Sequence, residues 1–136
     1  MSYALRDHTA DVAVEATAES LDAVFAAVAD GLAAAMCDQV PDEGERFDVT
    51  VRAEGLEALM FDYLDELIYQ RDVRGVLPVD NEATVAEEDG EWTLDGSARG
   101  VPLTGLGARD VKAVTYSEMA VEETPDGWRA YVVFDV

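Results

Sequence analysis

The chain has 136 residues, with 9 Lys and Arg against 30 Asp and Glu, a formal net charge of −21 and a hydrophobic fraction of 49%. A chain of this length buries roughly two thirds of the surface of its unfolded state, so a core can form without disulfides or structural metals. The single cysteine, Cys37, excludes an internal disulfide and a thiolate zinc cluster. Its apolar surroundings predict a buried thiol. Because no internal disulfide can form, we expect a reducing compartment. We expect a single domain over residues 1–136.

The sequence carries no recognisable membrane or export signal. No apolar stretch approaches the roughly 18 uncharged residues of a membrane span, and the first residues lack the charged-then-apolar order of a signal peptide. We therefore expect a cytoplasmic protein with no membrane partner.

The kind of charge is as informative as its amount. Lys112 is the only lysine and all other cations are arginines, a balance typical of salt-adapted, haloarchaeal-type surfaces. At about 1 M salt the Debye length is about 3 Å, so the self-repulsion of such a surface is largely screened. A net charge of −21 also disfavours extensive direct binding of RNA or DNA, which needs cations to neutralise phosphates.

In the first half of the chain, the hydrophobic periodicity alternates between strand and helix. Alternation over 12–16 predicts a strand, and Ser20 is a plausible N-cap for an amphipathic helix over 21–36. A second alternating run over 47–53 predicts another strand. Gly55 then precedes a second amphipathic helix, whose apolar stripe runs from Leu56 to Ile68.

The second half of the chain has the period of two that is typical of strands. Asp89 and Gly90 predict a tight hairpin turn between strands over 84–88 and 91–94. Four glycines between Gly96 and Gly107 predict a loop. Two further strands, over 111–122 and 128–136, flank the turn at 124–127.

These elements define the predicted fold class. The order β-α-β-α-β-β-β-β, with helices and strands that are each apolar on one side, predicts an α+β two-layer sandwich. We expect a mixed β-sheet with both helices packed on one face.

The residues that carry chemistry are mainly carboxylates. The sequence has no nucleophile, phosphate-loop or zinc-protease motif, and its only histidine, His8, excludes a multi-histidine metal site. Asp11 at the start of the first predicted strand, Asp135 at the end of the last and the α-carboxylate of Val136 form a set of oxygen ligands. Such a set selects hard cations such as Ca²⁺, Mg²⁺ or Mn²⁺.

Each of these residues also has a structural interpretation. Asp11 is equally compatible with a turn cap. A lone histidine such as His8 is more often a structural residue than a metal ligand, and an acid such as Asp62 is more often a solvated surface residue. Asp135 follows the apolar run 131–134, where burial is expected, and a buried acid needs partners. Lys112 stands out as the only lysine, and its compact ammonium suits phosphate or clustered carboxylates. Chance, or a strand residue that snorkels to solvent, explains its presence equally well.

Three segments resemble the archease family in their order and spacing. They are His8-Thr-Ala-Asp-Val12, the helical run Leu59-Met-Phe-Asp-Tyr-Leu-Asp-Glu-Leu-Ile-Tyr69, and Val111-Lys-Ala-Val-Thr-Tyr116 with the terminal Phe134-Asp-Val136. Val-Lys-Ala-Val-Thr-Tyr together with an Asp-aliphatic end is the specific part, and the resemblance covers essentially the whole chain.

The resemblance implies a non-enzymatic protein cofactor of an RtcB-type RNA ligase in tRNA splicing. Such an activator promotes guanylylation of a ligase histidine and multiple turnover, and widens nucleotide use. Carried over by motif position, the metal ligands are Asp11, Asp135 and Val136, with Ca²⁺ the first expectation and Mg²⁺ or Mn²⁺ possible. Lys112 is then a contact to the partner.

The chain departs from the family pattern at three positions. Ala13 and Ser117 replace a frequent glycine and histidine, and Tyr63 replaces a usual tryptophan.

Two other functions stay open: a general chaperone or modulator, which needs an exposed apolar patch, and a metal-dependent hydrolase, for which His8 is the only plausible base.

Overall fold

The computed structural model describes residues 2–7 and 11–136 of the chain. Within these residues it has two helices and seven strands. The elements are β1 (Ser2–Asp7), β2 (Asp11–Ala18), α1 (Leu21–Met36), β3 (Glu45–Ala53), α2 (Leu56–Arg74), β4 (Val76–Glu88), β5 (Glu91–Pro102), β6 (Ala113–Thr124) and β7 (Gly127–Asp135). The predicted α+β class is confirmed, as are both helices.

Residues that are typical of helix ends lie at the boundaries of both helices. Ser20 caps α1, because its side chain accepts a hydrogen bond of 3.1 Å from the Ala23 N–H. Gly55 precedes α2, and Gly75 ends it in the left-handed conformation with φ of 66°. Neither helix of the described chain is both long enough and apolar enough to cross a bilayer.

The strands form two sheets, which corrects the prediction of one mixed sheet. The strand orders are β1-β2-β7-β6 and β3-β5-β4, and every described pair is antiparallel. Helix α2 does return the chain in the same direction, because β3 and β4 are both antiparallel to β5. However, β5 lies between β3 and β4, so these two strands do not pair with each other.

Two segments differ from the sequence-based prediction. Strand β1 was not predicted, and Gly96 and Gly100 lie inside β5 rather than in the predicted loop. A Cβ on Gly96 would lie 2.7 Å from the Glu82 carbonyl oxygen, and one on Gly100 would lie 2.9 Å from Val76. These glycines therefore permit close strand packing rather than a turn.

The β4–β5 hairpin turn and the turn before β7 are confirmed. Asp89 and Gly90 have φ of 54° and 80°, the positive angles that a two-residue hairpin requires. Gly127 ends the second turn and begins β7.

Each helix packs on both sheets and so joins them. Helix α1 contacts β2 and β4, whereas α2 contacts β3 and β6. Most buried apolar side chains of these four strands and both helices belong to one core cluster, with Phe25, Tyr63 and Phe134 among its largest members. Cys37 is half-buried rather than buried, because it lies just beyond α1, and its thiol donates to the Gln39 carbonyl. The loop of residues 103–112 closes the core beside the ends of β2, β6 and β7.

Candidate functional site

The register of three neighbouring strands brings together most of the predicted site. Asp11 begins β2 and lies directly opposite Asp135, the last residue of β7. Side chains directly opposite each other share a face of the sheet, about 5 Å apart at their Cβ atoms. On the other side of β7, the Lys112 N–H donates a hydrogen bond of 2.9 Å to the Asp135 carbonyl oxygen. Asp11, Asp135 and Lys112 therefore occupy adjacent strand ends.

A small cavity lies at these strand ends. It has a volume of about 280 Å³, and its lining includes Asp11, Arg109, Asp110 and Val136 together with apolar side chains of β1, β2 and α1. Oδ1 of Asp11 is buried, although the residue as a whole is half-buried. Acidic and basic residues thus line the cavity together with apolar ones.

The expected burial of Asp135 is wrong. Its side chain is exposed because the sheet ends at this residue, although the three residues before it, 132–134, are all buried. Val136 is 49% exposed. The buried carboxylate oxygen at this end of the sheet belongs instead to Asp11.

The arrangement fits an oxygen-ligand metal site formed by two side chains and one main-chain group. Among the described residues, no three Asp, Glu, His or Cys side chains lie close enough to hold a metal ion. The predicted set has only two such side chains, Asp11 and Asp135, and its third member is the main-chain carboxylate of Val136. All these donors are oxygens, which suits a hard cation. The metal site remains a prediction.

The two cations at the site have no ion pair within the described part of the chain. Lys112 is exposed, and so is Arg109, whose main-chain N–H donates to the Met36 carbonyl at 2.7 Å. Both side chains are therefore available to an anionic group brought by a partner.

Arg71 holds the segment that precedes Lys112, and sequence reasoning missed it. Its guanidinium is buried, donates 2.8 Å to the Val111 carbonyl and lies 3.3 Å from an Asp110 carboxylate oxygen. The available signal was an arginine at position 71, which continues the apolar positions Tyr63 and Leu67 of α2 at four-residue spacing. A cation at a buried position of a helix indicates that a specific group within the fold pairs with it.

The remaining candidates lie away from the strand ends. Asp62 is exposed on α2, and its pKa is raised from the ordinary value by partial burial and then by the neighbouring charge of Asp65. Tyr63 belongs to the core, where burial and then the charge of Asp30 raise its pKa. Ser117 lies on β6, and His8 lies outside the described residues.

Comparison with known proteins gives a consistent result over the whole chain. Residues 3–136 match the sequence model of the Archease protein family (MTH1598/TM1083). The chain is 33% identical to protein archease of Pyrococcus furiosus over 135 residues, which cover 96% of this chain and 95% of that protein. It is 34% identical to protein archease of Thermococcus gammatolerans over the same shares of the two chains.

Solved structures show the same architecture. The solution structure of Methanobacterium thermoautotrophicum protein 1598 superposes with a TM-score of 0.86 at 29% identity and covers 98% of both chains. The crystal structure of an archease from Thermotoga maritima, described as a possible chaperone, superposes with a TM-score of 0.60 at 21% identity. It covers 96% of this chain and 94% of the Thermotoga chain. At that identity the second likeness shows the fold alone.

Proposed function

Because the chain belongs to the archease family, we propose that it is a cytoplasmic, non-enzymatic activator of an RtcB-type RNA ligase in tRNA splicing. The activator promotes guanylylation of the ligase and multiple turnover. The observation that carries this proposal is the register that pairs Asp11 with Asp135 beside Lys112.

In this proposal the strand ends hold a divalent cation, Ca²⁺ in the first instance. Asp11, Asp135 and the main-chain carboxylate of Val136 are its ligands. When bound, the cation supplies positive charge against phosphate oxygens, as metal ions do in phosphoryl and nucleotidyl transfer.

The protein's own cations complete the proposed contact. Lys112 is exposed, has no ion pair within the described residues, and follows the segment held by Arg71. Its ammonium can therefore bind a phosphate oxygen at the ligase's nucleotide site without first breaking an internal ion pair. Arg109, which lines the cavity, is exposed and adds a second positive charge to this end of the molecule.

Ligation progress curves test the proposal. RNA with a 2′,3′-cyclic phosphate end and a 5′-hydroxyl end is incubated with GTP and a substoichiometric amount of the cognate ligase, with and without this protein. We expect a single turnover by the ligase alone and many turnovers when the protein is added. Equal product yields in the two reactions would show that the protein is not the activator.

A second reaction separates activation from hydrolysis. The protein is incubated with the same RNA ends and nucleotide in the absence of ligase. Because no nucleophile motif is present, we expect no change in either substrate. Opening of the cyclic phosphate would instead support a metal-dependent hydrolase.

The second candidate function is that of a general chaperone, the description carried by the Thermotoga maritima protein. The observation that favours it is a set of large, exposed apolar side chains on α2 and β6, Tyr69, Val73 and Tyr116. A chaperone suppresses aggregation of an unrelated, chemically unfolded protein in light-scattering assays. An activator specific for the ligase leaves such aggregation unchanged.

A further inference from the structure

Strand β6 carries an irregularity in its pairing with β7. Its pairing with β7 is regular up to Thr115, shifts, and resumes at Ala120. Between them, Glu118 has a positive φ of 55°, and the Ser117 N–H donates 3.2 Å to the Thr115 hydroxyl. Bulges of this kind re-aim side chains and occur often beside functional sites. The aromatic residue at this bulge, Tyr116, is 55% exposed.

Tyr116 is held in place by a ring from α2. Its ring lies parallel to that of Phe61, with 4.2 Å between the centroids and 8° between the planes. Phe61 is half-buried and packs against the core. The stack covers one face of the Tyr116 ring, so the tyrosine presents a fixed aromatic surface to solvent.

Carboxylates occur on both elements that carry the stacked rings. Asp62 and Asp65 are exposed on α2, and Glu118 is exposed on the bulge. The pKa of the Tyr116 phenol is raised, first by partial removal from water and then by the charge of Asp62, which therefore lies close to it. The negative field of these groups favours a cation at the ring and disfavours phosphate.

The protein itself shows which cation suits its aromatic rings. The Arg74 guanidinium lies 4.6 Å from the centroid of Phe47, and that of Arg129 lies 5.7 Å from the centroid of Tyr131. Tyr116 has no such cation among the described residues. A guanidinium combines a planar face for stacking with donors for nearby carboxylates, whereas an ammonium offers only a point charge.

This surface is continuous with the candidate site. Helix α2 runs beside β6, with Phe61 at Tyr116 towards one end and Arg71 at the Val111 carbonyl towards the other. The exposed positions Asp65 and Tyr69 lie between them at the four-residue spacing of one helix face. A protein that reaches Lys112 can therefore also cover Tyr116.

We propose that Phe61, Asp62, Asp65 and Tyr116, the aromatic-acidic surface, bind an arginine side chain of the protein partner. The inference rests on the proposed function only in naming that partner as the RNA ligase. The arginine stacks on the free face of Tyr116 and donates hydrogen bonds to the carboxylates.

The first arm of the test does not need the ligase. N-acetyl-arginine amide is titrated into the protein, and the NMR signals of the Tyr116 ring are followed at the lowest salt concentration that keeps the protein folded. N-acetyl-lysine amide is the matched control. We expect saturable shifts with the arginine compound, weaker shifts with the lysine compound and loss of the arginine response in the Asp62→Asn/Asp65→Asn double variant. Absence of an arginine-specific shift would overturn the proposal.

The second arm measures ligase affinity by calorimetry. Replacing Tyr116 by Ala removes the ring and is expected to weaken binding roughly tenfold, as loss of a desolvated cation–π contact does. Tyr116→Phe retains the ring and should bind within about twofold of the wild type. Urea unfolding of each variant verifies that the fold is intact, because Tyr116 is a surface residue.

The outcomes of the two arms separate the two proposals. Arginine-specific shifts without any ligase binding by the wild type would overturn the proposed partner and leave the aromatic-acidic surface as an arginine site. Ligase binding that is unchanged by Tyr116→Ala would show that the complex does not use this surface. Loss of binding to an RNA hairpin in Tyr116→Ala, with ligase affinity unchanged, would assign the ring to RNA bases instead.

Discussion

The arginines of the sheets and the cations of the loop of residues 103–112 differ in their ion pairs. On the β1-β2-β7-β6 sheet, Arg129 lies 2.8 Å from both Glu15 and Glu122. On β3-β5-β4, arginines form ion pairs within the sheet: Arg99 lies 2.7 Å from Asp80, Arg52 lies 3.5 Å from Glu91, and Arg46 lies 3.6 Å from Glu82. At the ends of β2, β7 and β6, Arg109 and Lys112 have no ion pair among the described residues. Yet the chain has 30 acidic residues against 9 basic ones. A cation without a partner is therefore not explained by a shortage of carboxylates.

The difference separates structural cations from available ones. Arg99 donates to the Pro41 and Glu43 carbonyls as well as to Asp80, and so fixes the segment before β3. Arg109 instead is exposed and lines a cavity together with Asp11 and Val136. Cations that are paired inside the fold should affect stability when they are removed, whereas the available ones should affect the partner.

The largest effect on stability is expected for Arg71→Met. Methionine retains much of the volume, but it leaves the buried Val111 carbonyl without its donor and Asp110 without its ion pair. We expect a loss of about 2–4 kcal/mol in the free energy of unfolding, measured with urea at constant high salt. Arg52→Met, which removes an exposed pair, is the matched control and should cost less than about 0.5 kcal/mol. Equal losses in the two variants would show that the buried contacts of Arg71 stabilise the fold no more than an exposed ion pair does.

Asp135→Asn tests the candidate metal site. If the strand ends bind a cation only in the folded state, a hundredfold excess over the dissociation constant stabilises the wild type by about 2.7 kcal/mol. We expect Asp135→Asn to abolish this increment and multiple turnover by the ligase, and to leave the metal-free fold intact, since a negative charge beside Asp11 is removed.

Calorimetric titration with Ca²⁺ and Mn²⁺ completes this test. One site that is absent in Asp11→Ala and present in Glu123→Gln, an exposed acid on β6, is the expected result. Unchanged binding in Asp11→Ala would rule out the assignment, and a metal-free Asp135→Asn protein that unfolds would make Asp135 a structural residue.

A smaller effect on stability is expected for Lys112→Ala. The side chain is exposed and has no ion pair within the described chain, so the free energy of unfolding should change by less than about 1 kcal/mol. Ligase turnover should nevertheless fall strongly. Lys112→Arg retains the charge with a different shape, and we expect it to restore turnover only in part. A variant that is much less stable but still activates would place Lys112 among the structural cations.

The sequence was most informative where one local pattern determines the structure. Ser20 caps α1, and Asp89 with Gly90 forms the hairpin turn, because these depend on neighbouring residues alone. The sequence was least informative where contact with a distant strand determines the structure. Gly96 could not be recognised as a strand residue without the Glu82 carbonyl that approaches it from β4.

The candidate site likewise has one part that the sequence predicts and another that it does not. The predicted neighbourhood of Asp11 and Asp135 follows from the positions of both residues at the ends of strands, and the register of β2 on β7 agrees with it. The support that Arg71 gives to the Val111 carbonyl could not be predicted, since it crosses 40 positions of the chain. The Phe61–Tyr116 stack likewise depends on the bulge in β6, which no local motif announced.

The smallest effect on stability, and the only expected gain, concerns Asp62 at the aromatic-acidic surface. Its pKa in the folded protein is raised above the ordinary value of 3.8, first by partial burial and then by Asp65. The folded state therefore disfavours the ionised carboxylate, which makes Asp62 slightly destabilising above its folded-state pKa. Below 3.8 the carboxyl is protonated in the folded and unfolded states alike, and its contribution disappears.

Asp62→Asn should accordingly raise the free energy of unfolding at neutral pH by less than about 0.5 kcal/mol, because the site is exposed and screened by salt. The gain should vanish as the pH falls through the pKa of Asp62. Asp48→Asn, an exposed acid on β3, removes the same charge without this environment and should not reproduce the pH dependence. Urea unfolding of the three proteins between pH 3 and pH 7 measures the difference. A more stable variant that also binds the ligase less tightly would indicate that Asp62 serves the partner at a small cost to the fold, whereas a destabilised variant would place its carboxylate among the groups that hold the fold together.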